Sequence, residues 1–342
     1  MEVPTMMRFR KMISCIDAHT MGEPFRVVTS GVPPLAGDTI LDKRAYFSER
    51  FDGIRRMLML EPRGHSDMYG GVLLPPATED GDFGILFMHN EGMGTMCGHG
   101  CIAAATVIFE TGMKESREGE NILKLDTPAG RITAYAEVAN GRVKRVSFEN
   151  VPTFVYLSDV LLEAEGIGEI PCDIVFGGDF YVFADVSRLG LELKPENARV
   201  LAARAMELKY DALRKFEVVH PENPKLRGIY GTLLTSAPET HGDTVRARNV
   251  CVFANGEIDR SPCGTGTSAR LTQLYMKGVI KPGMKLEHHS IIDTVFEAEA
   301  VRETEVGGRR AIIPRVSGSA NITAFSNFVL DEDDPLPEGF RL

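Results

Sequence analysis

Met96–Gly100, MCGHG, and Ser261–Arg270, SPCGTGTSAR, are two forms of one pattern placed about half the chain length apart. In each, a cysteine is followed at once by a Gly-x-Gly step: Cys97-Gly98-His99-Gly100 and Cys263-Gly264-Thr265-Gly266. Behind the first, GHGCIAAATVIF (Gly98–Phe109) carries no formal charge and is apolar on every side. A helix apolar all round is buried, not laid on a surface. Gly112 then supplies a left-handed cap. Behind the second, Gly266–Lys277 reads as the counterpart helix and stops at Gly278. The chain therefore reads as two strand-rich halves, each with one buried helix that begins at a Cys-Gly-x-Gly junction.

The rest of the sequence fits that frame. ILKLDTPAGRITAYAEVANGRVKRVSFENV reads as a meander, with a turn at Thr127–Gly130, a strand from Arg131 to Val138, a tight Asn140-Gly141 turn and a strand from Arg142 to Phe148. Asn-Gly between alternating runs is the strongest short-range hairpin signal, because both residues tolerate positive φ. Lys194–Arg214 reads as an amphipathic surface helix that starts at Pro195. A break falls at Glu149–Thr153. The expected division is residues 1–150 with the C-terminal strands 315–342 in one half, and 151–314 in the other. The fold class is α/β, in the α+β sense.

At 342 residues the chain is comfortable for two halves, and 43% apolar with 25% charged residues is ordinary for a globular protein. A formal charge of −10 argues against nucleic acid, which needs a basic surface. No segment approaches the roughly 20 apolar residues that cross a bilayer. The first 20 residues lack the apolar region and cleavage site of a signal peptide, so a cytoplasmic location is expected. Six scattered cysteines in such a chain are read as free thiols.

A helix N-terminus has unpaired N–H groups and a partial positive charge, and glycines there let a ligand approach the backbone. Each junction thus offers a sulfur beside donors for a carboxylate, and the helix end is expected to favour thiolate. Two such sulfurs facing one substrate suit stereoinversion at an acidic carbon: a thiolate removes a proton from one face and a thiol returns one to the other. The amides would hold the enolate-like charge that forms in between. Cys97, His99 and Cys101 lack a second ligand pair at zinc spacing, so no metal is expected. Cys101, Cys15, Cys172 and Cys251 are read as core.

These motifs resemble those of the proline racemase family, which includes hydroxyproline 2-epimerases and trans-3-hydroxyproline dehydratases. The likeness is carried by DAHTMGEPFRVV (Asp17–Val28), EPRGHSDMYGG (Glu61–Gly71), HNEGMGTMCGHG (His89–Gly100), FGGDFY (Phe176–Tyr181), DRSPCGTGTSAR (Asp259–Arg270) and SGSANITAFSNFVLDEDDP (Ser317–Pro335). It implies a diaminopimelate-epimerase-like fold of two pseudo-symmetric halves, an active site between them, no cofactor, a homodimer, and proline or a hydroxyproline as substrate. It implies Cys97 and Cys263 as acid and base, Gly98, His99, Gly264 and Thr265 as carboxylate binders, and Asp259 as partner of the substrate amine. Cys263 favours inversion, since dehydratases typically carry threonine there, whereas the EPRGHSDMYGG segment looks like the dehydratase-type branch. A dehydratase and a non-catalytic amino-acid-binding protein therefore stand as alternatives. His99 is open between bonding Cys97 or a ring hydroxyl and orienting its loop. His65 and Asp67 are read as turn residues, His89 and Asn90 as shaping the approach to Cys97, and Glu23 as structural.

Overall fold

The computed structural model describes residues 9–341, and the part of the leader reading that rests on residues 1–8 lies outside the described residues. Its helices are α1 (Ile40–Arg50), α2 (Asp52–Met59), α3 (Gly98–Glu110), α4 (Ala198–Lys215) and α5 (Gly264–Met276). All strands belong to one strongly bent sheet that wraps two helices, α3 and α5. Most pairings are antiparallel, and four are parallel. Parallel neighbours need a crossover, and here each crossover carries helix. Glu23–Ser30 and Tyr69–Leu74 are joined through α1 and α2, and Phe83–His89 and Gly119–Thr127 through α3. In the second half Phe180–Asp185 and Gly231–Thr235 are joined through α4, and Thr244–Phe253 and Lys285–His289 through α5. Each half thus repeats the same two strand–helix–strand units in the same order, which is the pseudo-symmetry.

The C-terminal strand Ala320–Asp331 pairs antiparallel with Phe9–Thr20. Arg309–Gly318 ties the halves together by pairing with Arg142–Glu149, Thr153–Ala164 and Val295–Val306. The Asn140-Gly141 turn has φ of +55° and +69°, as the hairpin requires.

Both central helices are buried, but by different chemistry. In α3 every residue from Gly98 to Phe109 is buried and nearly all are apolar. The more polar α5 is buried because its hydroxyls are satisfied within its own first turns. Ser268 Oγ donates to the Gly264 carbonyl at 3.0 Å, Thr272 to Ser268 at 2.8 Å and Thr267 to Pro262 at 3.1 Å. Helix α4 follows a single turn that begins at Pro195, and it buries Leu201, Ala205, Leu208 and Ala212 along one face. Helices α1 and α2 were not anticipated. In ILDKRAYFSER only Ile40 and Phe47 are buried, and α2 is eight residues long with a glycine second, so neither shows a sustained period.

The N-termini of α3 and α5 abut. A Cβ built on Gly98 would lie 2.6 Å from Gly264 Cα, and one on Gly264 2.5 Å from Gly98 Cα. Backbone meets backbone with no room for a methyl. We expect Gly98→Ala to force the helix ends apart and destabilise the chain by about 1–3 kcal/mol, as overpacking does. Thermal unfolding checks this, and an unchanged midpoint would show that the contact is not tight.

Candidate active site

The junction geometry follows from the sequence around each cysteine. Cys97 and Cys263 are the N-caps of α3 and α5, and each sulfur accepts the N–H of the glycine three residues on: Gly100 at 3.2 Å and Gly266 at 3.3 Å. The next N–H groups, of Cys101 and Thr267, go to the cysteine carbonyls at 3.0 and 2.7 Å. That leaves the amides of Gly98, His99, Gly264 and Thr265 as the open donors of two helix ends pointed at one another. Two positive ends at such close range are an arrangement that an anion stabilises.

Both sulfurs are enclosed, Cys97 at 4% and Cys263 at 5% exposure. The helix end was expected to favour thiolate. For Cys97 burial outweighs it and pushes the thiol well above its ordinary range, with the neighbouring Cys101 adding to the effect and the Gly100 N–H opposing it. Desolvation penalises the charged form over the whole sulfur, whereas the amide offsets only one direction of approach. An open seam cavity of about 240 Å³ is lined from both halves, by His65, Asp67, Asn90 and Glu257 among others, and by neither sulfur.

The predicted residues fall as follows. His99 takes the bonding geometry: its Nδ1 is 3.3 Å from Cys97 Sγ. Its ring is pushed down to about 3 by burial, so it is neutral, and its carbonyl accepts the Thr20 hydroxyl at 2.8 Å. Thr265 Oγ1 lies 3.7 Å from Cys263 Sγ and 2.7 Å from Tyr181 OH. Asp259 is both a turn residue and a buried acid near Cys263. Its Oδ1 accepts from Ser261 N at 2.8 Å and Ser261 Oγ at 2.7 Å, while burial pushes its carboxyl up to about 6.

Asp67 does occupy a turn, with φ of +63°, yet its carboxylate also crosses to the other half, accepting from Ile258 N at 3.2 Å and Arg260 Nη2 at 2.7 Å. His65 is exposed and bonds its own neighbour. Asn90 donates to the carbonyls of Met59 and His65 at 2.8 and 3.0 Å. His89 is buried against Tyr69, Tyr230 and Phe253, and burial lowers it to about 3.

Sequence reasoning missed the aromatic layer. Tyr69 packs edge-on to His99 with ring centres 4.9 Å apart, and its hydroxyl is 3.0 Å from that of Tyr230, which stacks on Phe253. Tyr69 and Phe253 come from different halves and from motifs whose spacing carries no signal of the encounter. Asp179, within FGGDFY, also has a role that its motif does not announce. Its carboxylate accepts the Thr95 hydroxyl and, at 3.4 Å, the N–H of Thr95 and Met96, so it holds the loop that delivers Cys97.

Because all six thiols are buried, alkylation must wait for opening. Iodoacetamide should label Cys97 and Cys263 at least about 10-fold more slowly in the native chain than in the unfolded one, read by peptide mass spectrometry. Equal rates would show a standing open site.

The chain matches the model of the family described as proline racemase over residues 15–341. It is 45% identical to the trans-3-hydroxy-L-proline dehydratase of Bacillus thuringiensis subsp. konkukian over 337 residues, covering 98% of this chain and 100% of the relative. It is 42% identical to the proline racemase of Clostridioides difficile over 336 residues, with the same coverage. The crystal structure of a hydroxyproline epimerase from Agrobacterium vitis with bound trans-4-hydroxy-L-proline superposes with a TM-score of 0.92 at 34% identity, covering 98% of this chain and 97% of that one. The fold is accordingly the diaminopimelate-epimerase-like one that the motifs implied. Matched in this way along almost its whole length, the chain belongs to the proline racemase family.

Proposed function

We propose that the protein inverts the α-carbon of proline or a hydroxyproline without a cofactor, through Cys97 and Cys263. The observation that carries this reading is the pair of cysteine-capped helix ends in backbone contact at Gly98 and Gly264, with the first amides of both helices left open. The substrate carboxylate takes the amides of Gly98, His99, Gly264 and Thr265, and Asp259 receives the ring ammonium. One sulfur, as thiolate, removes the α-proton. The electron pair moves into the carboxylate, where the amides and helix ends hold it as an enolate-like dianion. The other thiol then gives its proton to the opposite face, leaving the two sulfurs with exchanged protonation states. The substrate carboxylate is what makes the positive helix ends useful, and enclosure keeps water from quenching the intermediate. In this reading the division into 1–150 with 315–342 and 151–314 assigns one cysteine to each half, the homodimer is carried over from the family, and the cytoplasmic location rests on the reading of the first 20 residues.

The hydroxyls of Tyr69 and Tyr230, 3.0 Å apart beside His99, supply a polar patch that a ring hydroxyl can join, which favours a hydroxylated substrate. The 45% identity to a protein named trans-3-hydroxy-L-proline dehydratase supports a second reading. There the same α-proton is removed, the C3–O bond breaks, hydroxide leaves as water after protonation, and the enamine tautomerises to a cyclic imine. That route needs one base and leaves Cys263 without a proton to deliver.

Incubation in D2O with L-proline, trans-4-hydroxy-L-proline and trans-3-hydroxy-L-proline separates the readings by NMR. Deuterium at Cα with the opposite configuration is expected. A borohydride-reducible imine would instead establish dehydration, and binding with no exchange would leave only an amino-acid-binding protein. Cys97→Ala and Cys263→Ala should each lower inversion by at least about 10²-fold, the scale of losing a general acid or base. Full inversion by either variant would remove that residue from the mechanism.

The acid limb of the rate profile has a worked sign. Asp259 is charged only above its raised value of about 6, so kcat/KM should fall as pH drops through that region. A profile flat from pH 5 to 7 would show that this carboxylate does not bind the ammonium.

A further inference from the structure

Resting on the imino-acid reading above, we propose that Glu23 is a second acceptor for the substrate's ring ammonium, opposite Asp259. Glu23 opens the strand Glu23–Ser30, directly after the turn Met21-Gly22. That turn presses on the other half: a Cβ on Gly22 would lie 2.6 Å from Ile292 Cδ1. The side chain is wholly buried. Its Oε2 accepts the N–H of Arg260, the residue after Asp259, at 2.7 Å. Its Oε1 is buried and has no hydrogen-bond partner among the described residues. The Arg260 hydrogen bond sets Glu23, from one half, beside the residue that follows Asp259 in the other, and burial and then the field of Asp259 raise the Glu23 carboxyl well above the usual range.

A buried acceptor without a partner in a native structure needs an explanation. The proposed substrate supplies one. A ring imino acid at neutral pH carries a secondary ammonium with two N–H donors and one positive charge. Asp259 already spends Oδ1 on Ser261. A single carboxylate on one side leaves the second N–H directed elsewhere, and Glu23 Oε1 is the buried open acceptor that the proposal assigns to it. Two like acids enclosed together hold a proton between them and tolerate full charge only when a cation enters. The pair therefore selects a cationic amine over a neutral ring nitrogen. Glu23 lies in MGEP, a segment that the sequence likeness contains and to which no chemistry had been given.

The test compares wild type and Glu23→Gln for binding of L-proline and of planar pyrrole-2-carboxylate, which has one N–H and no positive charge. The amide keeps an oxygen for the Arg260 N–H and turns the open acceptor into a donor. Calorimetry should show proline binding weakened about 10-fold or more and pyrrole-2-carboxylate by less than about 3-fold, the range of one hydrogen bond to a charged group. Equal weakening of both ligands, or of neither, overturns the proposal, because a carboxyl that merely closes the seam does not distinguish them. A crystal structure of wild type with L-proline gives the answer without any variant. Glu23 Oε1 within about 3.2 Å of the ring nitrogen upholds the assignment, and a separation beyond about 4 Å ends it. Failure of wild type to bind either ligand would sink the proposed function itself, whereas normal turnover with an indifferent Glu23 would sink this assignment alone.

Discussion

Everything in this molecule is arranged around one contact, the abutment of two helix N-termini at Gly98 and Gly264. Aligned peptide dipoles make each end positive, and their direct approach is unfavourable in isolation. The contact is sustained because the helices are buried along their whole length within one continuous sheet, so that neither can retreat. The missing side chains at positions 98 and 264 allow a separation at which amides from both helices can share one anion. The sulfurs are fixed by the same turn, each being the N-cap of its helix.

Enclosure cuts two ways in such a site. It strengthens every interaction between the amides and a carboxylate, because no water competes. It also pushes the Cys97 thiol up and lowers His99 and His89 to about 3, so these three groups are held in their neutral forms. The polar groups that cross the seam include Asp67 to Arg260, Glu23 to the Arg260 amide, Tyr69 to Tyr230 and Thr95 to Asp179. In the proposed mechanism the two charges of a zwitterionic substrate meet the helix ends and the buried acids.

The family spans inversion and dehydration on one scaffold, and the geometry indicates why that is chemically economical. In the proposed mechanism both begin with loss of the same α-proton to a sulfur, and the same set of amides holds the charge left behind. What differs is the second event: delivery of a proton to the far face, or departure of a hydroxyl from the ring. In that proposal the first depends on Cys263 and the second on groups at the ring's edge, for which the Tyr69 and Tyr230 hydroxyls beside Phe253 are the candidates.

Much of this was legible in the chain itself. Local signals decided the junctions, because an N-cap, a Gly-x-Gly step and a capping glycine act over a few residues; Gly112 and Gly278 both have φ of +72°. All-round apolarity marked α3 as buried, and Asn140-Gly141 marked the hairpin. The short helices α1 and α2 were hidden, since two buried positions in eleven residues make no period. The roles of Asp67, Asp179, Tyr69 and Glu23 were equally hidden. Each acts on a residue far away in sequence, and nothing near Glu23 in the chain announces the Arg260 amide. Thus the chain determined by itself where two reactive helix ends begin, through short-range backbone chemistry. Only the tertiary structure decided that those ends touch, that burial overrules the helix field at Cys97, and which acids and hydroxyls surround them, because such effects arise from groups that the sheet alone brings together.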